Sequence, residues 1–275
     1  MKYVLYNFEL KKETALQIPI CSRAFQYNDG AFETMLFSNG KVRFLDSHLN
    51  RLDKAAKVLH LELPDELSDL ETLGLWLEKL IWKNQLKGSI RLKLKFWRSG
   101  KGLYTPEQNA AEVLITAEPQ HENSNIIQTA GFAETVCTHY SSYSFFKGPN
   151  STQYVLSGIE KKQRNLDEII LLSAEGFVSE CLAANIFWIR NGMVFTPKTT
   201  TGCIAGVMRE NLLRLFQSEN IAFQEGAFLP EALLKAEVVF TSNAAGIRTI
   251  ESISETKFAV EHPIIMLIRE KLINT

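Results

Sequence analysis

The sequence predicts a mixed chain of the α/β (α+β) class in two domains. Three observations carry that prediction: short alternating strands joined by hairpin signals, long stretches with helical apolar spacing, and one polar break in mid-chain. In the first part "KYVLYNFEL" alternates apolar and polar residues, and "AFETMLFSNGKVRFL" is two apolar runs joined by Ser38-Asn39-Gly40, a hairpin signal. Asp46 is placed to cap a helix, "SHLNRLDKAAKVLHL", with Leu49, Leu52, Ala56 and Leu59 near helical spacing. Pro64 and Asp65 end that unit and lead to a second helix, "LETLGLWLEKLIWKNQ". "SIRLKLKFWR" and "AEVLITAEP" are strands.

The polar stretch "PQHENSNI", 119–126, reads as a linker between domains at 1–118 and 127–275. Beyond it a helix is expected after Asn150, "STQYVLSGIEKKQRN", then strands "EIILLS", "FVSE", "NIFWIR" and "MVFTP" with turns at Ala174-Glu175-Gly176 and Asn191-Gly192. A helix begins near Val207, "EVVFTSN" is a late strand, and "HPIIMLIREKLI" is the last helix. The many hairpins argue against a doubly wound sheet.

The bulk numbers describe an ordinary globular protein. In 275 residues, 45% are hydrophobic and 22% charged, and the formal net charge of −1 gives no surplus to attract nucleic acid or a membrane surface. The amino-terminal stretch alternates rather than forming a signal peptide's apolar core, and no apolar run approaches the length of a bilayer span, so a cytoplasmic location is expected. Cys21, Cys137, Cys181 and Cys203 are far apart with no CxxC pair, so no metal site is expected, and reduced, mostly buried thiols are.

Several stretches could carry chemistry, and each alone has an ordinary reading beside it. "TTTGCIAGVMRENLLRLF" puts glycines before a helix start, where free N–H groups attract an anion, or is a plain helix start. "FTSNAAGIR" ends a strand in a small-residue turn with more N–H groups. Lys147 in "SFFKGPNS" follows two aromatics; an apolar setting lowers a lysine's affinity for its proton and suits it to Schiff-base chemistry, though a solvated lysine fits too. Arg98 in "FWRSGKGLY" could clamp a carboxylate, and Arg51, on a helix with His48, a phosphate. His139 and Asp29 would suit a hydrolase, but no GxSxG or HExxH accompanies them. Glu180, at the head of "ECLAANIFW" with Asn185 five positions on, reads as a strand-end acid with no role visible in the pattern.

These pieces in this order resemble the class IV, or fold-type IV, pyridoxal-phosphate enzymes, over nearly the whole chain. "SRAFQYNDGAFETM" is similar to the family's "DRGxxxGDGxFET". The likeness continues through "HLNRL", "WRSGKG", Lys147 with Asn150, "DEIILLSAEGFVSECLAANIFW", "VFTPKTTTGCIAGVMRE" and "FTSNAAGIRTI". The resemblance implies an N-terminal α/β sandwich, a C-terminal pseudo-barrel with flanking helices, pyridoxal 5'-phosphate as cofactor, a small-molecule substrate and a homodimer. It implies that Lys147 holds the cofactor covalently and moves protons, that Glu180 faces the pyridine nitrogen, and that Arg51 pairs with the phosphate. Val207–Met208 and Asn243–Ala244 would cradle the same phosphate. Arg98 would stand on the substrate side and Thr34 close to the substrate; Arg248, unexpected beside such a site, would bind one of the substrate's carboxylates or face solvent.

Within that family the details lean toward 4-amino-4-deoxychorismate lyases, which form 4-aminobenzoate and pyruvate in folate biosynthesis. "SECLAANIFW" resembles the lyase form "TECCAANLFW", and "GVMR" the lyase "GIMR" where aminotransferases usually carry "GITR". A branched-chain or D-amino acid aminotransferase is the alternative, and a non-catalytic pyridoxal-phosphate-binding protein a remote one. Two departures stand out: Asn28 replaces the usual glycine of "GDG", and Gly148-Pro149 follows the lysine where lyases tend to show "KHLN".

Overall fold

The computed structural model describes residues 1–121, 124–148 and 151–273. It divides into two compact units, Met1–Glu122 with Phe146–Pro149, and Asn123–Phe145 with Asn150–Thr275. The segment around Lys147 therefore packs with the first unit, although the sequence reading had put it with everything after the linker. Asn150, expected to precede a helix, lies outside the described residues.

The first unit contains strands β1 (Tyr3–Tyr6) and β2 (Glu9–Lys12), a short helix α1 (Arg23–Tyr27), the hairpin β3 (Gly30–Ser38) and β4 (Lys41–Val42), and helices α2 (Leu45–Leu59) and α3 (Leu70–Lys83). Strands β5 (Ile90–Arg98) and β6 (Ala111–Pro119) complete it. The strands form one sheet in the order β2-β1-β6-β5-β3-β4. Alternation sets its faces: Leu92, Leu94 and Phe96 of β5 and Ala31 and Met35 of β3 are buried. Helix α2 starts earlier than its sequence suggests. Phe44 is the N-cap, in a left-handed conformation and without a side-chain cap, and Asp46 sits in the first turn, where its charge favours the helix dipole. In α3 the cap is the side chain of Asp69, which accepts from Thr72 N.

The second unit opens with β7 (Ile126–Phe132), which begins where a linker was expected. Then follow α4 (Ser151–Gln163), β8 (Glu168–Leu172), β9 (Val178–Cys181), β10 (Asn185–Arg190), β11 (Met193–Pro197), α5 (Val207–Ser218), β12 (Phe223–Gly226) and α6 (Pro230–Leu234). β13 (Val238–Asn243), β14 (Gly246–Ile253), β15 (Thr256–Lys257) and α7 (Pro263–Ile273) end the chain. The nine-stranded sheet runs β12-β11-β10-β13-β14-β7-β8-β9, with β15 on β14. β9 stands at one end of that order, yet it turns into β10 within three residues and is bridged to it at Cys181–Ala184. A flat sheet would hold those strands many strand spacings apart, so this one curls back on itself as a half-barrel.

Two apolar layers follow from the curl. One face buries Ile127, Ile170, Val178, Ile186, Trp188, Val239 and Ile250. The other face of β10 and β13 presents Phe187 and Phe240, stacked with ring centroids 5.1 Å apart, to Phe216 of α5. Helix α4 is reversed in its amphipathicity: Ser157 and Glu160 are buried, while Val155, Leu156 and Ile159 are exposed. The cysteines also depart from expectation, because only Cys181 and Cys203 are buried and Cys21 is exposed; all four are free. Among the described residues no helix is long and apolar enough to cross a membrane.

Candidate active site

In the first unit the backbone at Lys147 is stitched to the start of β3. Phe32 N donates to Lys147 O at 2.9 Å, and Asn28 Nδ2 donates to Gly148 O at 2.7 Å. Asn28 occupies a left-handed turn, φ 51°, that a glycine would also fill, and its side chain supplies the second tether, which a glycine could not. Gly148 has to be glycine: a Cβ there would stand 2.5 Å from Gly30 O.

Arg51 is buried in a network that no motif announced. Glu33 points from the inward face of β3 at α2, where Arg51 Nε donates to its Oε1 at 2.7 Å and Nη2 to its Oε2 at 2.5 Å. His48 Nδ1, one helical turn before Arg51, lies 2.7 Å from the same Oε2, and beside an ionised carboxylate that nitrogen carries the proton. Burial pushes the Glu33 carboxyl up, but the Arg51 charge and the hydrogen bonds from His48 and Arg51 outweigh it and hold it down at about 2. Thr34, the next residue, is half-buried and by strand alternation faces away from α2.

Arg98, expected on the substrate side, has its donors committed to protein acceptors. It is buried, with Nε on Asp29, Nη1 on His60 O and Asn109 Oδ1, and Nη2 on Leu59 O. Its donors hold the end of α2 and the Asp29 turn in place. The guanidinium of Arg248 donates to Ser124 O and Ile126 O where β7 begins, and so braces β14 against β7.

In the second unit the structure explains why Glu180 and Asn185 share one stretch. They clamp both polar groups of Ile204: Ile204 N donates to Glu180 Oε2 at 3.1 Å, and Asn185 Nδ2 donates to Ile204 O at 2.7 Å. Glu180 is 2% exposed, and its other oxygen accepts the O–H of Tyr154, on α4, at 2.7 Å. Burial first, then the Glu180 charge and hydrogen bond, push the Tyr154 phenol far above its ordinary range, so it remains a donor. A buried hydroxyl cluster, Thr138, Ser179 and Thr201, ties the turn Thr199–Thr201 to β9 beside Glu180.

The Ile204 clamp delivers the start of α5 to the sheet. Gly206 is its N-cap with no side-chain cap, and a Cβ on Gly206 would lie 2.0 Å from Asn185 Oδ1. Val207 and Met208 are the first residues of the helix, where a helix start was expected, and amides there have no intrahelical partner. Ser242 faces Asn185 across β10 and β13, and among the described residues its buried Oγ has no hydrogen-bond partner. Asn243 makes its own turn through Ala245 N, with Ala244 half-buried at the tip. Glu180, Ser242 and the first turn of α5 thus belong to one neighbourhood of the second unit, as Lys147 and the strand bearing Glu33 and Thr34 do in the first.

Sequence reasoning missed Glu33 and Tyr154. Glu33 had a signal: it falls in the inward phase of β3, between Ala31 and Met35, where an acid requires buried cationic partners. Replacing Glu33 with Gln leaves the buried Arg51 charge without its anion and should destabilise the protein by about 3–5 kcal/mol in urea unfolding. In the wild type, the stability due to Glu33 should be complete above its ordinary value of 4.5 and lost as pH falls toward about 2, a loss absent from E33Q.

The chain is 27% identical over 259 residues to an aminodeoxychorismate lyase of Vibrio harveyi, covering 92% of this chain and 93% of that one. It is 26% identical to a D-alanine aminotransferase of Bacillus licheniformis over 258 residues, 91% and 88% of the two chains. The fold matches a solved branched-chain amino acid aminotransferase of Escherichia coli with a TM-score of 0.88 at 22% identity, over 99% of this chain and 93% of that one. The family model for amino-transferase class IV matches residues 30–253, and the chain belongs to that family.

Proposed function

We propose that this protein is a pyridoxal-phosphate-dependent lyase that converts 4-amino-4-deoxychorismate to 4-aminobenzoate and pyruvate. The observation that carries the reading is Glu180, a buried carboxylate held by one phenol and one amide at the position where the family places the acid behind the cofactor ring. The lyase branch is supported by the "SECLAANIFW" and "GVMR" stretches and by similarity to a lyase along nearly the full length.

The residues present fit the cofactor. The uncapped start of α5 at Val207 and Met208 and the turn at Asn243 and Ala244 offer amides to a phosphate, and the buried Ser242 hydroxyl, next in the chain to that turn, has no hydrogen-bond partner among the described residues. Arg51 would add its charge; its Nε–Nη2 edge is bound to Glu33, which orients the guanidinium. When bound, pyridoxal phosphate supplies an electron-poor pyridinium that accepts the electrons of a broken C–H bond. Glu180 keeps a proton on the ring nitrogen. The Lys147 amine takes the proton from the substrate carbon bearing nitrogen. Loss of the enolpyruvyl group then makes the carbocycle aromatic, so no amino acceptor is required. The departing enolpyruvate gains a proton to become pyruvate.

We also propose a homodimer. Helix α4 turns its polar side inward and leaves Val155, Leu156 and Ile159 in water, the pattern of a helix that a second copy covers.

The purified protein given aminodeoxychorismate and no 2-oxo acid should release pyruvate and 4-aminobenzoate in equal amounts; turnover only of amino acids with 2-oxoglutarate would select the aminotransferase alternative. Lys147→Ala should lose the cofactor's absorbance and the activity together. Ile159→Lys should lower the mass measured by light scattering from dimer to monomer, and a wild type that already runs as a monomer would refute the pairing.

A further inference from the structure

Tyr154 has no part in the function as set out so far, yet it makes one of the two hydrogen bonds described for Glu180. Its O–H donates to Oε1 at 2.7 Å, while Ile204 N donates to Oε2 at 3.1 Å, so each carboxylate oxygen has its own donor. The two donors differ in kind. Ile204 is backbone, tethered through Asn185, and present whatever side chain stands there. Tyr154 is a side-chain choice, on the polar, inward side of α4. Beside them, Cys203 is buried, and its thiol is pushed up to about 12 by burial first and then by the Glu180 charge, so it adds no second anion.

A buried carboxylate that faces a pyridine nitrogen can share one proton in two ways. Either the ring is cationic and the acid anionic, or both are neutral. Each donor to the acid's oxygens favours the charged arrangement, because it stabilises the anion and not the neutral acid. Resting on the function proposed above, we infer that Tyr154 is a positioning residue which, by donating to Glu180, keeps the shared proton on the cofactor's ring nitrogen. It touches neither substrate nor reacting carbon and acts through Glu180. Its phenol suits the task because it does not ionise in these surroundings and so never becomes an acceptor that would compete for the same proton.

The test is the nitrogen-15 resonance of pyridoxal phosphate labelled at the ring nitrogen and bound to the holoenzyme near neutral pH. Wild type should show a protonated ring. In Tyr154→Phe, which keeps the ring's volume, the resonance should move toward the unprotonated position. There kcat should fall about tenfold or more while KM stays within about threefold, as expected for losing a hydrogen bond to a charged group. Tyr154→His, which restores an N–H donor on a ring, should recover part of both and serves if the phenylalanine variant is unstable. A lowered melting temperature with an unmoved resonance would mean that Tyr154 only packs, and overturns the inference. A wild type that takes up the labelled cofactor but shows an unprotonated ring overturns it as well. Failure of the wild type to take up the cofactor at all would instead bring down the functional reading, and the inference with it.

Discussion

A carboxylate taken out of water is stable only if donors replace the water it loses, and the second unit is organised around that requirement at Glu180. One donor is the amide of Ile204, and Ile204 is held from its other side by the amide group of Asn185. The acid and the amide, five residues apart on either side of the β9–β10 turn, therefore grip a single residue by the peptide groups on both its sides. That grip fixes the approach of the segment leading into α5, and with it the helix start that lies over Asn185 and Ser242. The curl of the sheet makes the grip possible, because only a rolled sheet brings β9 back beside β10. The hydroxyls of Thr138, Ser179 and Thr201 lock the same segment one turn earlier.

The first unit solves the same problem with opposite charges. Arg51 is a cation in the interior, and Glu33 is the anion that makes its burial tolerable, with His48 donating to the Oε2 that Arg51 Nη2 also binds. The network leaves Arg51 in one orientation. At Lys147 the backbone is pinned by Phe32, and that of its neighbour Gly148 by Asn28. Asn28 is thus more than a tolerated replacement for glycine: it adopts the same left-handed turn and adds a tether.

Arg98 and Arg248 show the limit of motif reading. Both lie within stretches that resemble the family, and both looked free to meet a carboxylate. In the structure each guanidinium serves the fold, Arg98 at the end of α2 and Arg248 at the entry to β7. A guanidinium carries five donors, and any carbonyl or carboxylate within reach competes for them; which acceptors are within reach depends on neighbours far away in the chain. Lys147 and Glu180 drew notice as candidates only because the stretches around them resemble the family's. Glu33 was half-legible, as an acid in the inward phase of a strand. Tyr154 was illegible, because it sits on a helix whose exposed side is the apolar one, so the usual rule for which side faces inward gives the wrong answer.

By itself the sequence determined the alternation that makes the strands, most of the longer helices, and the order of acid, lysine and glycine-rich turns, because these depend on residues within a few positions of one another. It did not determine that β7 begins inside an apparent linker, that the sheet rolls, or that the chain at Lys147 returns to the first unit. Nor did it determine which donors surround Glu180 or which acceptors surround Arg51. Those outcomes were decided by tertiary structure, for a physical reason: a buried charge is satisfied by whatever groups the fold brings within about 3 Å of it. Tyr154 reaches Glu180 from 26 residues away along the chain, and Asp29 reaches Arg98 from 69.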